Sequence, residues 1–241
     1  MDRLIVTLDG PAGSGKSTLA RLLAHRLGVE FLDTGAMYRG LTAKALDRGI
    51  DPAAEPAAVV ELARSRPMTF DWRADPPRLY VGEVDVTDRL RDADVTDAVS
   101  DVAALGAVRR VLVEAQRRIG GEHPRLVTEG RDQGSVVFPH ATVKFYLDAR
   151  PDVRARRRVD QLHAAGKRAD YDQIHRAIVA RDHKDSHRAD APLIRPDDAI
   201  GLDTSEMSLD DVLERLVAEV VSKVGSLSSR RAQRCEGTKN A

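Results

Sequence analysis

Cysteine is almost missing from this 241-residue sequence, whose single copy is Cys235 near the C-terminal end. That excludes an intramolecular disulfide framework and any metal centre built mainly from thiolates, and makes a reducing cytoplasm the expected setting. Aromatic residues are also scarce, at 4% with one Trp, so a stacking surface for single-stranded nucleic acid has little to be built from. Net charge is absent too: 38 Lys+Arg balance 38 Asp+Glu, which implies neither a nucleic-acid partner nor an anionic membrane. No apolar run approaches the roughly 20 residues that span a bilayer. Asp2, Arg3 and Asp9 interrupt the short N-terminal apolar stretch where a signal peptide would lie, so a soluble, unexported protein is expected. Lysine is rare as well. Only seven of the basic residues are Lys, leaving 31 Arg, a bias that suits bidentate phosphate contacts and that genomic base composition also produces.

What is present is enough to bury a core, with 42% hydrophobic and 32% charged residues. Leu4 to Leu8 is a short apolar, β-branched run that ends in Asp9-Gly10-Pro11, the pattern of a buried strand entering a turn. Leu19, Leu22, Leu23 and Leu27 then recur at helical spacing before Gly28, and Val29 to Leu32 reads as a second strand, followed by a helix to about Leu46. Strand, helix and strand in this rhythm predict an α/β fold with a parallel sheet. Composition shifts near Asp51. Residues 51–96 read as a small insert, in which Arg78–Val81 and Glu83–Val86 form a hairpin around Gly82. Helical patterning spans about Val95 to Ile119. Leu126–Thr128, Val143–Leu147 and Ala199–Leu202 are further strand candidates, two Arg-rich helices lie between about 150 and 190, and Ser208 opens a final amphipathic helix. After Gly225 the sequence is polar and aperiodic, and residues 226–241 are expected to be a disordered tail.

Gly10-Pro11-Ala12-Gly13-Ser14-Gly15-Lys16-Ser17 fits G-x-x-x-x-G-K-[ST], a match that arises by chance in roughly one chain in a hundred of this length. Its place between a strand and a helix matters more, because backbone N–H groups there converge on a phosphate at the helix N-terminus. In such a loop Lys16 reaches the β- and γ-phosphates and the Ser17 hydroxyl is a ligand for Mg²⁺. A plain turn has no use for that lysine. The missing Asn-Lys-x-Asp segment argues against a GTPase. Asp33-Thr34-Gly35-Ala36-Met37-Tyr38-Arg39 and Glu129-Gly130-Arg131-Asp132 both follow predicted strands, so both emerge at the sheet edge that carries the glycine loop. Arg39 is a candidate phosphate clamp there. In Arg181-Asp182-x-x-Asp185-x-x-Arg188, helical spacing puts Arg181, Asp185 and Arg188 on one face, although an ordinary network of surface ion pairs has the same spacing. Arg154, Arg157 and Arg158 share a face that would suit a lid closing over a triphosphate. His163, His175, His183 and His187 have no matched ligand framework and are not read as a zinc site.

These segments together resemble the bacterial cytidylate kinases, members of the nucleoside monophosphate kinase family. The resemblance runs from about Leu4 to Val224 and rests on Asp9 through Thr18, Asp33 through Arg39, Val99-Ser100 through Arg109, Glu129 through Asp132 with Val136-Val137-Phe138-Pro139, and Arg181 through Arg188 with Ala191-Pro192-Leu193. It implies a P-loop NTPase-type three-layer fold: a parallel five-stranded sheet, a small antiparallel insert (about 51–96) in a core (about 1–50 and 97–225), and a helical lid (about 150–190). It implies that Gly10 through Thr18 hold ATP with Mg²⁺, that Ser100, Arg109 and Asp132 meet the cytosine edge, that Arg181 and Asp185 meet the ribose hydroxyls, and that Arg39, Arg131 and Arg188 clamp the acceptor phosphate. Thr34 is expected to touch the same nucleotide. Lys16, Arg131 and Arg188 would then serve catalysis, with CMP or dCMP as acceptor in a monomeric enzyme that needs no nucleic acid or membrane. Gln133 departs from the family, which commonly has an apolar residue there, a departure that concerns local packing. A kinase for UMP or dTMP and a non-catalytic nucleotide sensor are the alternatives; an acceptor panel separates them.

Overall fold

The computed structural model describes residues 3–164, 166–187 and 191–237. The chain begins β1 (Leu4–Asp9), α1 (Lys16–Leu27), β2 (Glu30–Asp33) and α2 (Thr34–Leu46). Next come α3 (Pro56–Ser65), β3 (Met68–Asp71), β4 (Arg78–Val81), β5 (Val84–Asp85), α4 (Ala93–Ala104) and α5 (Gly106–Glu122). It ends β6 (Arg125–Gly130), β7 (Val143–Asp148), α6 (Pro151–Ala164), α7 (Tyr171–His187), β8 (Ile200–Asp203) and α8 (Leu209–Gly237). Five parallel strands form one sheet in the order β2-β6-β1-β7-β8, and β3-β4-β5 form a small antiparallel sheet. From β1 the chain moves toward one edge of the sheet and from β7 toward the other. The carboxyl ends of these two adjacent strands therefore flank the topological switch point, where α/β sheets bind ligands.

All six residues of β1 are buried, and their alternation builds the layers. Leu4, Val6 and Leu8 pack with Leu19 and Leu23 of α1, Phe145 of β7 and Leu216 of α8. Ile5 faces the other side, with Met37 and Leu41 of α2 and Leu112 and Ile119 of α5. Each such side chain contributes about 1.5–3 kcal/mol on burial, so a one-residue slip of β1 would exchange its two apolar faces and lose most of that. The small sheet joins the second layer, since Met68, Leu79 and Val81 belong to the same cluster as Ile5 and Leu32. Trp72 fastens it further, its indole N–H donating to the Phe31 carbonyl at 3.0 Å.

Two expectations change. The helical patterning from 95 to 119 is divided, because Leu105 adopts an extended conformation between α4 and α5, with Gly106 next to it. The disordered tail expected from residue 226 is also corrected as far as residue 237, to which α8 runs. The sequence after Gly225 has no Gly or Pro before Gly237 and contains Leu, Ala, Gln and Arg, all good helix formers, so the helix has no reason to stop at the loss of amphipathic period. Residues 238–241 lie outside the described residues. Among the described residues no helix is long and apolar enough to cross a membrane.

Candidate active site

The glycine loop leaves β1 through Asp9, a buried carboxylate that accepts from the backbone N–H groups of Gln133 (2.8 Å) and Gly134 (2.7 Å). Burial pushes its pKa up to about 6 against the lowering effect of those two bonds. Gly10 must follow. Its φ is +145°, and a Cβ there would stand 2.0 Å from the Leu147 carbonyl oxygen of β7, so any side chain would drive the loop off the neighbouring strand. At the far end Gly15, with φ +85°, precedes α1 directly and leaves the helix N-terminus open toward the loop. Lys16 is buried and folds back, its Nζ donating to the Pro11 carbonyl at 2.6 Å and lying 3.3 Å from Ser14 Oγ. Its pKa falls to about 7, first through burial and then through the positive charge of Arg131.

Arg154 of α6 braces this loop from above. It is buried and donates to the carbonyls of Ala149 (2.7 Å) and Ala12 (3.0 Å) and to Asp182 of α7 (2.6 Å). The three arginines expected to share one role divide instead. Arg157 turns away to the Thr204 carbonyl (2.6 Å), and Arg158 is exposed, 3.5 Å from Gln161 and near enough to Arg39 to lower that residue's pKa. Side chains at i, i+3 and i+4 fan over about 100° of a helix, enough for long arginines to find different partners. A cleft of about 410 Å³ lies between loop and helices, lined by Pro11, Arg154 and Asp182 among others.

A pair of carboxylates stands beside the loop. Asp33 ends β2 and pairs in register with Glu129 of β6, which sets the two side by side at the carboxyl edge. Burial raises the Asp33 pKa to about 7, helped by the charge of Glu129, while Asp33 also accepts from the Ala36 N–H at 2.8 Å as the cap of α2. Ser17 Oγ donates to Glu129 at 2.9 Å. Glu129 carries no role among the expectations from sequence, although two acidic residues ending two strands are a signal for it.

Beyond this pair lies a set of guanidinium groups. Arg39 of α2 donates to the Leu90 carbonyl (3.3 Å) and to Thr96 Oγ1 of α4 (3.1 Å). Ser100 follows Thr96 by four residues and so shares that face of α4. Arg109 of α5 forms a buried charge pair with Asp132 and lies over the Tyr38 ring, 5.9 Å from its centroid. Arg131 pairs with Asp185 of α7 at 2.9 Å. Arg181, one turn away, is largely buried and its Nε has no protein partner; burial and the charge of Arg131 bring its pKa down to about 10. Arg131 also depresses Lys16 and Arg39, while Asp185 and Glu129 hold its own pKa up against burial, so three cations lie in the field of a fourth across one edge of the sheet, an arrangement that a polyanion relieves. Thr34, expected at a nucleotide, instead has its hydroxyl buried and donating to the Glu129 carbonyl at 2.7 Å, a tie between α2 and β6. Arg188 lies outside the described residues.

The family model described as cytidylate kinase matches residues 6–222. A cytidylate kinase of Rhodococcus jostii (strain RHA1) is 44% identical over 224 residues, 93% of this chain and 97% of that protein. Another, from Mycobacterium leprae (strain Br4923), is 44% identical over 227 residues, 94% of this chain and 100% of that protein. Among solved structures, an uncharacterized protein from Eubacterium ventriosum ATCC 27560 shares the fold with a TM-score of 0.51 at 10% identity, covering 91% of this chain and 99% of its own.

Proposed function

The chain belongs to the cytidylate kinase family, and from that premise we propose that it transfers the γ-phosphoryl group of MgATP to CMP or dCMP, giving ADP and CDP or dCDP. One observation carries this reading. β1 and β6 pair in register with Asp9 opposite Gly130, so the loop that carries Lys16 and the loop that begins with Arg131 leave adjacent strands side by side at one edge of the sheet. Donor and acceptor phosphates brought to these two groups would meet end to end. The attacking oxygen of a nucleoside monophosphate is anionic at neutral pH, so the chain needs no general base, only alignment and neutralisation of charge. Lys16 would take the β- and γ-phosphates in place of the Pro11 carbonyl. Arg39, Arg131 and Arg188 would hold the acceptor phosphate, Arg181 and Asp185 the ribose, and Ser100, Arg109 and Asp132 the base. A carboxylate accepts from the N4 amino group of cytosine, which uracil lacks. Arg154, already on the Ala12 carbonyl and on Asp182, would bind α7 to the loaded loop.

The residues fit a magnesium ion. Ser17 supplies a hydroxyl and the crowded Asp33–Glu129 pair supplies negative charge that a cation stabilises. Among the described residues no three His, Cys, Asp or Glu form a self-sufficient metal site, so the ion would be held together with phosphate oxygens and water. When bound it would neutralise charge on the β- and γ-phosphates. We extend the proposal to a monomer, which sedimentation of the purified protein checks, and to a cytoplasmic location, which fractionation of the cells that make it checks.

An acceptor panel of CMP, dCMP, UMP, AMP and dTMP at fixed MgATP tests the activity. CMP and dCMP should be the best acceptors, and formation of no diphosphate from any of them would leave a nucleotide sensor. Asp132→Ala should cut the preference for CMP over UMP at least about tenfold in relative kcat/KM, since a lost polar contact to the base removes discrimination more than binding. An unchanged ratio would remove Asp132 from base reading. Lys16 predicts a pH effect. With a pKa of about 7 in the free protein, its amine is mostly neutral at pH 8 and a triphosphate would draw a proton onto it. Calorimetry of metal-free ATP binding at pH 8, in buffers of different ionisation heat, should register uptake of up to about one proton more than Lys16→Met does, a difference that falls toward zero by pH 6 where the amine is already charged and that cancels the titration of the ATP phosphate and of Asp33 and Asp9, whose pKa values lie at about 7 and about 6. A difference that is zero at both pH values would show that the lysine is charged throughout.

A further inference from the structure

Gln133 is 1% exposed, yet its side chain is fully engaged. Its Oε1 accepts from Thr128 Oγ1 at 2.9 Å, and its Nε2 donates to Gln116 Oε1 at 3.0 Å and lies 3.5 Å from Thr34 Oγ1. Gln116, on α5, is also 1% exposed. Arg109 and Gln116 are seven residues apart on that helix, two turns, and therefore share a face. Opposite them stand two consecutive residues, Asp132 and Gln133, at the start of the wide helical turn Gln133–Val137. α5 thus grips one dipeptide twice, through the charge pair Arg109–Asp132 and through the amide pair Gln116–Gln133.

The geometry assigns Gln116 and Gln133 as a positioning pair for base selection, an inference that rests on the reading of Arg109 and Asp132 as the base-facing residues. A single ion pair between two side chains tolerates rotation and sliding of the helix that carries one of them. Arg117 of the same helix donates to the carbonyls of Val136 (2.7 Å) and Val137 (3.2 Å) at the far end of the turn, and a second directional contact on the dipeptide itself, about 10 Å farther along the helix axis, narrows the freedom left to Asp132. Misplacement of a substrate-contacting group by 1 Å is enough to cost about 10²-fold in rate. The amide pair acts on selectivity through Asp132 and reaches no substrate atom itself. The backbone N–H of Gln133 on Asp9 extends the same restraint to the start of the glycine loop.

A double variant separates this role from mere core stability. Gln133→Leu alone leaves the Gln116 amide without its buried partner, whereas Gln116→Leu with Gln133→Leu removes both amides together and should recover part of the lost thermal stability, the Thr128 hydroxyl losing its acceptor in both variants. The recovered double variant should still show a CMP-to-UMP ratio of kcat/KM lowered about tenfold, with KM for ATP unchanged. A folded double variant with the wild-type ratio overturns the inference. If the double variant does not fold, Gln133→Met and Gln116→Met are measured singly, and a shift of the ratio in neither overturns it as well. Wild-type protein that used CMP and UMP equally would overturn it in a distinguishable way, by removing the base reading beneath it.

Discussion

Lys16→Ala is expected to lower CMP-dependent ATP turnover by about 10³-fold or more while the protein stays folded, because the variant loses the cation that would neutralise charge on the transferring phosphoryl group. The lysine is buried and its hydrogen bonds are to its own loop, the Pro11 carbonyl and Ser14 Oγ. Ser14 Oγ also donates to the Pro11 carbonyl, at 3.2 Å, so truncation leaves that oxygen one donor. Removing a buried ammonium whose pKa is already depressed takes away a desolvation penalty along with its contacts, and the melting temperature should move by no more than a few degrees. CMP binding, measured by calorimetry without ATP, should change far less than turnover does, since the acceptor arginines come from other elements and Lys16 acts on them only through the field it shares with Arg131. Near-normal turnover in this variant would defeat the assignment of the loop to the donor triphosphate.

The parts of this site that could be read from the sequence are those in which one short segment carries both the chemistry and its placement. The glycine loop is the best case. An apolar strand, three glycines, a lysine and a helix fall in the 24 consecutive residues from Leu4 to Leu27, and the structure needs the first glycine because the Leu147 carbonyl oxygen of β7 lies 2.0 Å from where its Cβ would be. Likewise α7 keeps Arg181 and Asp185 on one face because helical spacing is a local property. What could not be read depended on register between distant strands or on the reach of long side chains. Asp33 meets Glu129 only because β2 pairs with β6 in that particular register, 96 residues apart in the chain. Arg157 has the spacing of a phosphate contact and goes to the Thr204 carbonyl of a strand end that folds beside it. Thr34 has the right chemistry for a ligand, and its hydroxyl also donates to the Glu129 carbonyl, a tie between distant segments that no local pattern announces. Gln133 looked like a packing irregularity, and its meaning appears only with Gln116 and Thr128 around it.

Arg131→Ala is the second large effect, expected to reduce kcat by about 10³-fold or more, the scale on which an arginine acting at the transferring phosphoryl group contributes. Three features place the burden on this residue. Its guanidinium is mostly buried, it is held to Asp185 of α7 at 2.9 Å, and its field lowers the pKa of Lys16, Arg39 and Arg181 alike. It is thus the cation common to the donor side and the acceptor side. Loss of this charge should raise the Lys16 pKa from about 7, so at saturating metal-free ATP and pH 8 the variant would take up fewer protons per ATP bound than the wild type, an effect that loss of ATP affinity alone does not produce. KM for CMP should rise and KM for ATP should change little. Arg131→Lys restores the charge without the planar fork, and because Asp185 and a phosphate need two donors set at a fixed angle, it should recover less than about a tenth of the lost rate. A variant that keeps kcat within about tenfold of wild type would move the phosphoryl-transfer role elsewhere among the cleft arginines.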